Sequence, residues 1–327
     1  MARRRRDDSD VHGLINVCKP RGFTSHDVVA VVRRTLGTRR VGHAGTLDPL
    51  AEGVLPVCVG RYTRLVDQLA ETEKGYYAEI QLGARTTTDD AEGEVVERVP
   101  VPDLTAPELE PYLARFRGQI AQVPPVYSAI KVDGRRAYDL ARRGAAPELQ
   151  ARPVTVHRLD VVAWTPPSLS LVVACSKGTY IRSLARDLGE ALGCGAHLTR
   201  LVRLRVGCFR LENAVSPQEI EAAVAEDRVG SVLLPADDAL AELPALLVPE
   251  ARSVDFGHGR SWPSAVRRAP RAPTRVYDTA GRLLGLAEHD LRRHAWQPRL
   301  ALIREQGVGA AVDDRSDVER PESTVRS

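Results

Sequence analysis

Asp48 is the only ionised group in the stretch Gly42-His43-Ala44-Gly45-Thr46-Leu47-Asp48-Pro49-Leu50, just ahead of the apolar run Val54-Leu55-Pro56-Val57. A carboxylate costs several kcal/mol to take out of water unless a partner offsets it. An acid in such company therefore either caps a chain end or does chemistry. Gly42 and Gly45 let the backbone turn tightly and approach a ligand. Pro49 fixes its own φ and biases Asp48 away from helical geometry. The chemistry on offer is that of a rigidly presented carboxylate, a nucleophile or a base. The plainer reading, which the neighbouring residues favour when taken alone, is a helix start with Asp48 as N-cap and Pro49 at the first helical position.

Arg182 is the second candidate. The apolar positions Ile181, Leu184, Ala185, Leu188, Ala191 and Leu192 fall on one helical face. They predict a helix capped by Thr179 and stopped by Gly193. Arg182 then lies in the first turn, where the helix dipole favours acids over cations. A cation beside free backbone N–H groups makes an anion site, for a phosphate, a substrate anion or a partner such as Asp48. An exposed arginine of no consequence is the alternative.

Tyr76 opens a strand-like run after Glu73-Lys74-Gly75, and Tyr180 opens the helix. Each is either a core or edge tyrosine or a ring that stacks on a base. His43, between glycine and alanine, reads first as a solvated loop histidine, and without a second histidine near it a metal is not expected. Residues 124–144 interleave Tyr127 and Tyr138 with Lys131, Arg135, Arg136, Arg142 and Arg143. Aromatic rings among bases suit single-stranded or looped RNA, although a solvated basic helix has the same composition.

These residues need a scaffold, and the chain is long enough to supply one. Its 327 residues suit one large domain plus a small one, or two of ordinary size. Hydrophobic residues make up 43%, enough for a substantial core, and the net charge is only +3. Arginines cluster at 3–6, 33–40, 135–143, 200–205 and 267–275, which suits a polyanion, as would an arginine-rich composition with no such role. Cysteines 18, 58, 175, 194 and 208 form no C-x-x-C pair and no metal spacing. They read as reduced, mostly buried thiols. No uncharged stretch approaches the length of a membrane span, and the start Met-Ala-Arg-Arg-Arg-Arg has no apolar region of a secretory signal. A soluble cytoplasmic protein is expected.

Residues 14–17 predict a strand ending in the turn Lys19-Pro20-Arg21-Gly22. Thr24 or Ser25 then caps a helix through Val28, Val29, Val32 and Leu36, stopped by Gly37. Strands are expected at 76–82, 94–99 and 169–175, and a helix at 109–117. Asp89-Asp90-Ala91-Glu92-Gly93 reads as a polar turn facing solvent. Beyond Leu240, prolines punctuate short β-like pieces, which places a boundary near 245. The expected layout is a domain over 11–245, a small β-rich domain over 246–305, and disordered tails at 1–10 and 306–327. Strands and helices mix without βαβ alternation, so the fold class is α+β. No nucleotide-binding glycine motif is present, and no such cofactor is expected.

Several separated segments together resemble the bacterial tRNA pseudouridine-55 synthases, the TruB family. They are residues 42–56, Asn16-Val17-Cys18-Lys19-Pro20-Arg21-Gly22, Lys74-Gly75-Tyr76, Pro124-Pro125-Val126-Tyr127-Ser128-Ala129-Ile130-Lys131, Cys175 through Leu184, Gly193 through Leu198, and Leu201 through Leu204. The resemblance runs in order over residues 12–215. It implies a mixed, largely antiparallel central sheet flanked by helices, and a small C-terminal module of the PUA type. It also implies a cofactor-free isomerisation of uridine in the T-arm loop by a monomer that needs no protein partner. Asp48 would be the nucleophile, Tyr76 would stack on the base and assist proton removal, and Arg182 would pair with Asp48 and aim it. Tyr180 and Leu201 would line the pocket, His43 would fill the space left by the flipped base, and Lys19 and Lys131 would hold the RNA. The alternatives are a catalytically spent tRNA-binding or folding protein and a synthase acting on other RNA. A glycoside hydrolase would need a second acid, for which only Asp89 and Asp90 are available.

Overall fold

The computed structural model describes residues 11–303 apart from 129, 133, 142, 144, 146, 265–269 and 271, and omits the side chains of 131, 136 and 139. Both predicted tails and Arg142 thus lie outside the described residues. The chain divides into two compact units between Glu242 and Leu243.

In the first unit, β1 (Gly13–Lys19) is an almost continuous apolar run, buried on both faces. Helix α1 (Ser25–Leu36) begins where a capping box satisfies the free N–H groups of its first turn. Thr24 Oγ1 accepts from Asp27 N at 3.1 Å, and the Asp27 carboxylate accepts from Thr24 N at 2.8 Å. Gly37, at φ 64°, ends the helix in the left-handed region. Val28, Val29, Val32 and Leu36 pack against Ile15, Val17 and the strand that follows.

Strand β2 (Val41–His43) pairs with the edge of β3 (Glu52–Val59), which pairs antiparallel with β1 from Gly13↔Val59 to Lys19↔Gly53. Helix α2 (Val66–Ala70) leads to β4 (Lys74–Leu82), where burial alternates strictly: Lys74, Tyr76, Ala78, Ile80 and Leu82 point inward. Strands β5 (Ala84–Thr86) and β6 (Val95–Arg98) form a small hairpin around the 89–93 turn. The helix expected over 109–117 is a 3₁₀ turn followed by α3 (Glu110–Ala114), because Pro111 sits early in the helix and cannot donate to a preceding carbonyl. Strand β7 (Gly118–Gln122), the short pair β8 (Lys131–Val132) and β9 (Arg135–Arg136), and α4 (Ala137–Ala141) follow.

The long β10 (Arg152–Thr165) and β11 (Ser168–Cys175) form a hairpin. Helix α5 (Ile181–Ala191) then buries Ile181, Leu184, Ala185 and Leu188 against the side chains of β4, β11 and β12 (Ala196–Val206). Burying each such aliphatic side chain contributes about 1.5–3 kcal/mol, which fixes the start of α5 over the sheet. β13 (Phe209–Arg210), α6 (Pro217–Ala225) and α7 (Ala236–Leu240) complete the unit. The central sheet runs β1-β3-β12-β4-β11-β10-β7, with β13 on β12 and β2 on β3. Its pairings are antiparallel except β12 with β3, the mixed sheet with flanking helices expected of an α+β protein.

The second unit contains β14 (Ala245–Leu247), α8 (Glu250–Gly257), β15 (Trp262–Pro263), β16 (Thr274–Tyr277), β17 (Leu283–Asp290) and β18 (Ala295–Ala301). Its five strands order β14-β16-β17-β18-β15 around Val248, Phe256, Trp262, Val276, Leu284 and Trp296. Among the described residues, no helix is long and apolar enough to cross a membrane.

Candidate active site

The loop carrying Asp48 is fixed from several sides. Gly45 adopts φ 97°, a conformation that favours glycine. Leu47 N donates to Ser25 Oγ at 2.8 Å, and Ser25 Oγ donates to Leu47 O at 3.1 Å. Gly22 N donates to Pro49 O at 2.8 Å, and Ala44 N to Pro56 O at 2.9 Å. The chain beyond Asp48 makes a single turn, Ala51 N to Asp48 O at 3.1 Å, and then enters β3. No helix starts there, so the N-cap reading of Asp48 is corrected.

Lys19 is also corrected. It is 0% exposed, and its Nζ donates to Phe23 O at 2.5 Å and Pro20 O at 3.0 Å, with Pro49 O at 3.5 Å. Its ammonium therefore braces the loop from beneath and cannot reach a phosphate. Burial lowers its pKa to about 8.

Arg182 reaches this loop from the start of α5. Tyr180 occupies the N-cap position and its side chain caps nothing. Thr179 is not the cap either, since its hydroxyl donates back to Ser176 O at 3.0 Å. The buried amide of Gln122 instead holds the backbone of Tyr180. It accepts from Tyr180 N at 2.8 Å and donates to Tyr180 O at 3.1 Å. Arg182 Nη2 lies 2.9 Å from Asp48 Oδ2, with the arginine side chain 5% exposed and the carboxylate 37%. The cation is locked in while the acid remains reachable. Arg182 Nη2 also donates to Tyr127 O at 2.9 Å, and Nη1 to Thr88 O at 3.2 Å.

A second acid shares that guanidinium. Asp90 Oδ2 is 3.4 Å from Arg182 Nη1, and its side chain is 5% exposed. The 89–93 turn is therefore not a solvent-facing one at Asp90. Leu198 of β12 closes over it, through Leu198 N to Asp89 O at 3.0 Å and Ala91 N to Leu198 O at 2.8 Å. Local polarity could not reveal a neighbour over a hundred positions away. Asp89 pairs with Arg186 at 3.0 Å. Neither acid lines the cavity described next, so neither stands there as the second carboxylate that glycoside hydrolysis requires.

Asp48, Tyr76, Tyr180, Arg182 and Leu201 line one cavity of about 270 Å³. Leu201 and Arg203 of β12 stand opposite Ala78 and Tyr76 of β4 in register. Burial pushes the Tyr76 hydroxyl above its usual pKa, against the pull of Arg203. Tyr180 is raised by burial and next by the charge of Asp48.

His43 does not line this cavity. It packs edge-on against His26 at 5.5 Å between ring centroids. It is not a solvated histidine: burial, followed by His26 and Arg203, pushes its pKa down to about 4, leaving a neutral ring at pH 7. Lys131 opens β8, but its side chain lies outside the described residues.

Three cavity-lining cations, Lys74, Lys177 and Arg203, have no role in the reading of the sequence. Lys74 Nζ is held by Ala70 O at 2.5 Å and by Thr72 O, and burial lowers its pKa to about 8. Arg203 stands in the sequence as one member of a basic patch. The signal that could have found it is the two-residue period of a strand, which puts it on the same face as Leu201.

Two family models match the chain in succession. The TruB family pseudouridylate synthase N-terminal domain matches residues 33–181, and the tRNA pseudouridylate synthase B C-terminal domain matches residues 182–241. The tRNA pseudouridine synthase B of Ectopseudomonas mendocina is 45% identical over 295 residues, covering 88% of this chain and 94% of that protein. The one from Symbiobacterium thermophilum is 47% identical over 254 residues, covering 77% and 83%. Among solved structures, a chain of a Cbf5-Nop10-Gar1 complex matches with TM-score 0.70 at 26% identity, over 89% of this chain and 85% of that one.

Proposed function

The chain belongs to the TruB family of pseudouridine synthases, and we propose that it isomerises a uridine of tRNA, the one at position 55 in the T-arm loop, to pseudouridine. The observation that carries this reading is the ion pair at the cavity: a reachable Asp48 carboxylate held 2.9 Å from a buried Arg182 guanidinium. An acid so placed is aimed without being neutralised, which is what attack on a sugar carbon requires.

The C1′–N1 bond of the uridine breaks, the base turns within the cavity, and a C1′–C5 bond forms. The hydrogen on C5 is lost as a proton and N1 gains one. Asp48 acts at the sugar, Tyr76 stacks on the base and assists removal of the C5 proton, and Tyr180 and Leu201 exclude the water that would intercept a detached base. The target uridine has to leave its stack, at a cost of a few kcal/mol. The neutral His43 ring is suited to filling the space left behind.

Lys131 and the exposed arginines of residues 124–144 hold the RNA backbone. The small β domain after Leu243 acts as a PUA-like RNA-binding module. We assign the reaction to a single chain, because Asp48, Tyr76, Tyr180, Arg182 and Leu201 line one cavity within the first unit. Five free cysteines suit the reducing cytoplasm, where we place the protein.

The test is carbodiimide labelling and primer extension on an unmodified tRNA transcript. One new stop at the T-loop uridine is expected after incubation with the enzyme. Binding without any new stop would favour a spent tRNA-binding protein, and stops only in other RNA would move the substrate.

A further inference from the structure

We propose that Arg203 is a positioning residue for this reaction: from the strand opposite Tyr76 it fixes the nucleophile loop through two carbonyls and lays a positive charge against the Tyr76 hydroxyl. The inference rests on the role given above to Tyr76, and it starts from an imbalance of charge. Arg203 is 1% exposed, and a buried guanidinium costs several kcal/mol unless paired. Arg182 is answered by two carboxylates. Among the described residues, no carboxylate stands within ion-pair distance of Arg203.

Backbone dipoles answer it instead. Nε donates to Val54 O at 2.7 Å, Nη1 to Thr46 O at 3.2 Å and Nη2 to Gly45 O at 3.0 Å. Thr46 and Gly45 are the residues that lead into Asp48. A guanidinium has five N–H donors; three go to these carbonyls, and the direct cross-strand pairing of Arg203 with Tyr76 sets its charge beside the phenol. One rigid fork thus holds the loop of the acid and lies beside the ring expected to move the proton.

Arg203 from β12, Cys175 from β11 and Asp48 from the loop act on the Tyr76 hydroxyl, and Lys74, Tyr180 and Arg182 line the same cavity. Burial, Cys175 and Asp48 all oppose a negative phenol oxygen, and Arg203 alone of these favours it. In the proton step, Tyr76 gives its hydroxyl proton to solvent, takes the C5 proton as phenolate, and is a phenol again. A fixed cation stabilises that anionic oxygen without reorganising at the moment of reaction. Lysine could supply the charge but not the fork that spans the carbonyls.

The experiment places a fluorotyrosine at position 76, whose more acidic phenol ionises in an accessible range, and follows it by ¹⁹F NMR in the otherwise complete protein. Arg203→Gln, which keeps donors but loses the charge, is expected to raise that ionisation by at least about one pH unit. In the unlabelled protein the same change should slow single-turnover isomerisation about a hundredfold, with tRNA affinity within about threefold. An unmoved fluorotyrosine titration in the folded Gln variant overturns the proposal. Arg203→Lys decides the question if the Gln variant does not fold. It should leave the titration within half a pH unit or so of the parent while slowing turnover about tenfold. Wild-type turnover in that variant removes the fork, and an upward shift of about a unit or more removes the charge. Because the titration is read without RNA, its outcome is separate from whether the substrate assignment is right.

Discussion

The loop of Asp48 and the basic stretch 124–144 border the same cavity, the first through Asp48 and its neighbours and the second through Ser128. The loop is tied to Ser25 of α1, to Pro56 of the adjoining β3 and, across more than 150 positions of chain, to Arg203 of β12. Among its described residues the basic stretch has bonds within itself, Ala137 N to Ile130 O at 2.7 Å, Tyr138 N to Ser128 O at 3.1 Å and Arg143 N to Leu140 O at 3.1 Å, besides the one from Arg182 Nη2 to Tyr127 O. Its Arg135 and Arg143 are exposed. The contrast follows from two kinds of work. An attacking group misplaced by an ångström loses rate, so its loop is over-determined by the core. A group that meets phosphate needs only reach and charge.

Substitutions in the two regions should therefore fail in different ways. Asp48→Asn keeps the shape of the loop and should reduce the single-turnover rate by a factor on the order of 10⁴ or more, with tRNA affinity near wild type. Abundant pseudouridine from that variant would end the nucleophile assignment. Arg182→Ala leaves Asp48 and the buried Asp90 without their shared cation, and should cost about 3–5 kcal/mol in denaturant unfolding as well as most of the activity. Wild-type turnover there would remove Arg182 from the site. Ser25→Ala strands the buried Leu47 N–H at a cost of about 1–3 kcal/mol. Turnover should fall with little change in tRNA binding, and an equal loss of both would argue against a loop-specific role.

His43 supplies a pH test. Its folded pKa of about 4 lies below the ordinary histidine value of 6.5, so between these values the unfolded chain binds more protons. Its contribution is present above pH 6.5 and is lost as pH falls toward 4. Allowing for partial exposure, unfolding free energy should drop by about 1 kcal/mol more between pH 7 and 5 in wild type than in His43→Asn. Identical pH profiles would contradict the half-buried neutral ring. The smallest effect belongs to the basic stretch. Arg135→Ala with Arg143→Ala should weaken tRNA binding modestly and lower the salt slope by about one for each phosphate no longer neutralised, with single-turnover rates at saturation unchanged. A fall in the saturated rate would erase the distinction between the two regions.

Much of the framework is legible locally. The Thr24–Gly37 helix carries its start and stop signals, and the alternation of 76–82 marks β4. The apolar positions of α5 define its buried face, which places Arg182 in the first turn. Other expectations fail for a common reason. Thr179 has the composition of a cap, but its hydroxyl turns to Ser176, while Gln122, nearly sixty residues earlier in the chain, holds the backbone of Tyr180 where the helix begins. Lys19 has the look of an RNA contact because lysine usually faces water, yet three carbonyls enclose it.

The chemical groups available, and the order of the elements that carry them, are written in the chain alone: a lone acid between glycines, an arginine at a helix start, a tyrosine at the head of a strand. These are short-range properties, expressed in spacing and side-chain type. The fates of Asp90, Lys19 and Arg203 belong instead to the folded molecule. Whether a charge ends in water, in an ion pair or against carbonyl dipoles depends on which distant residues close over it, and Arg203 meets Val54 across 149 positions of chain.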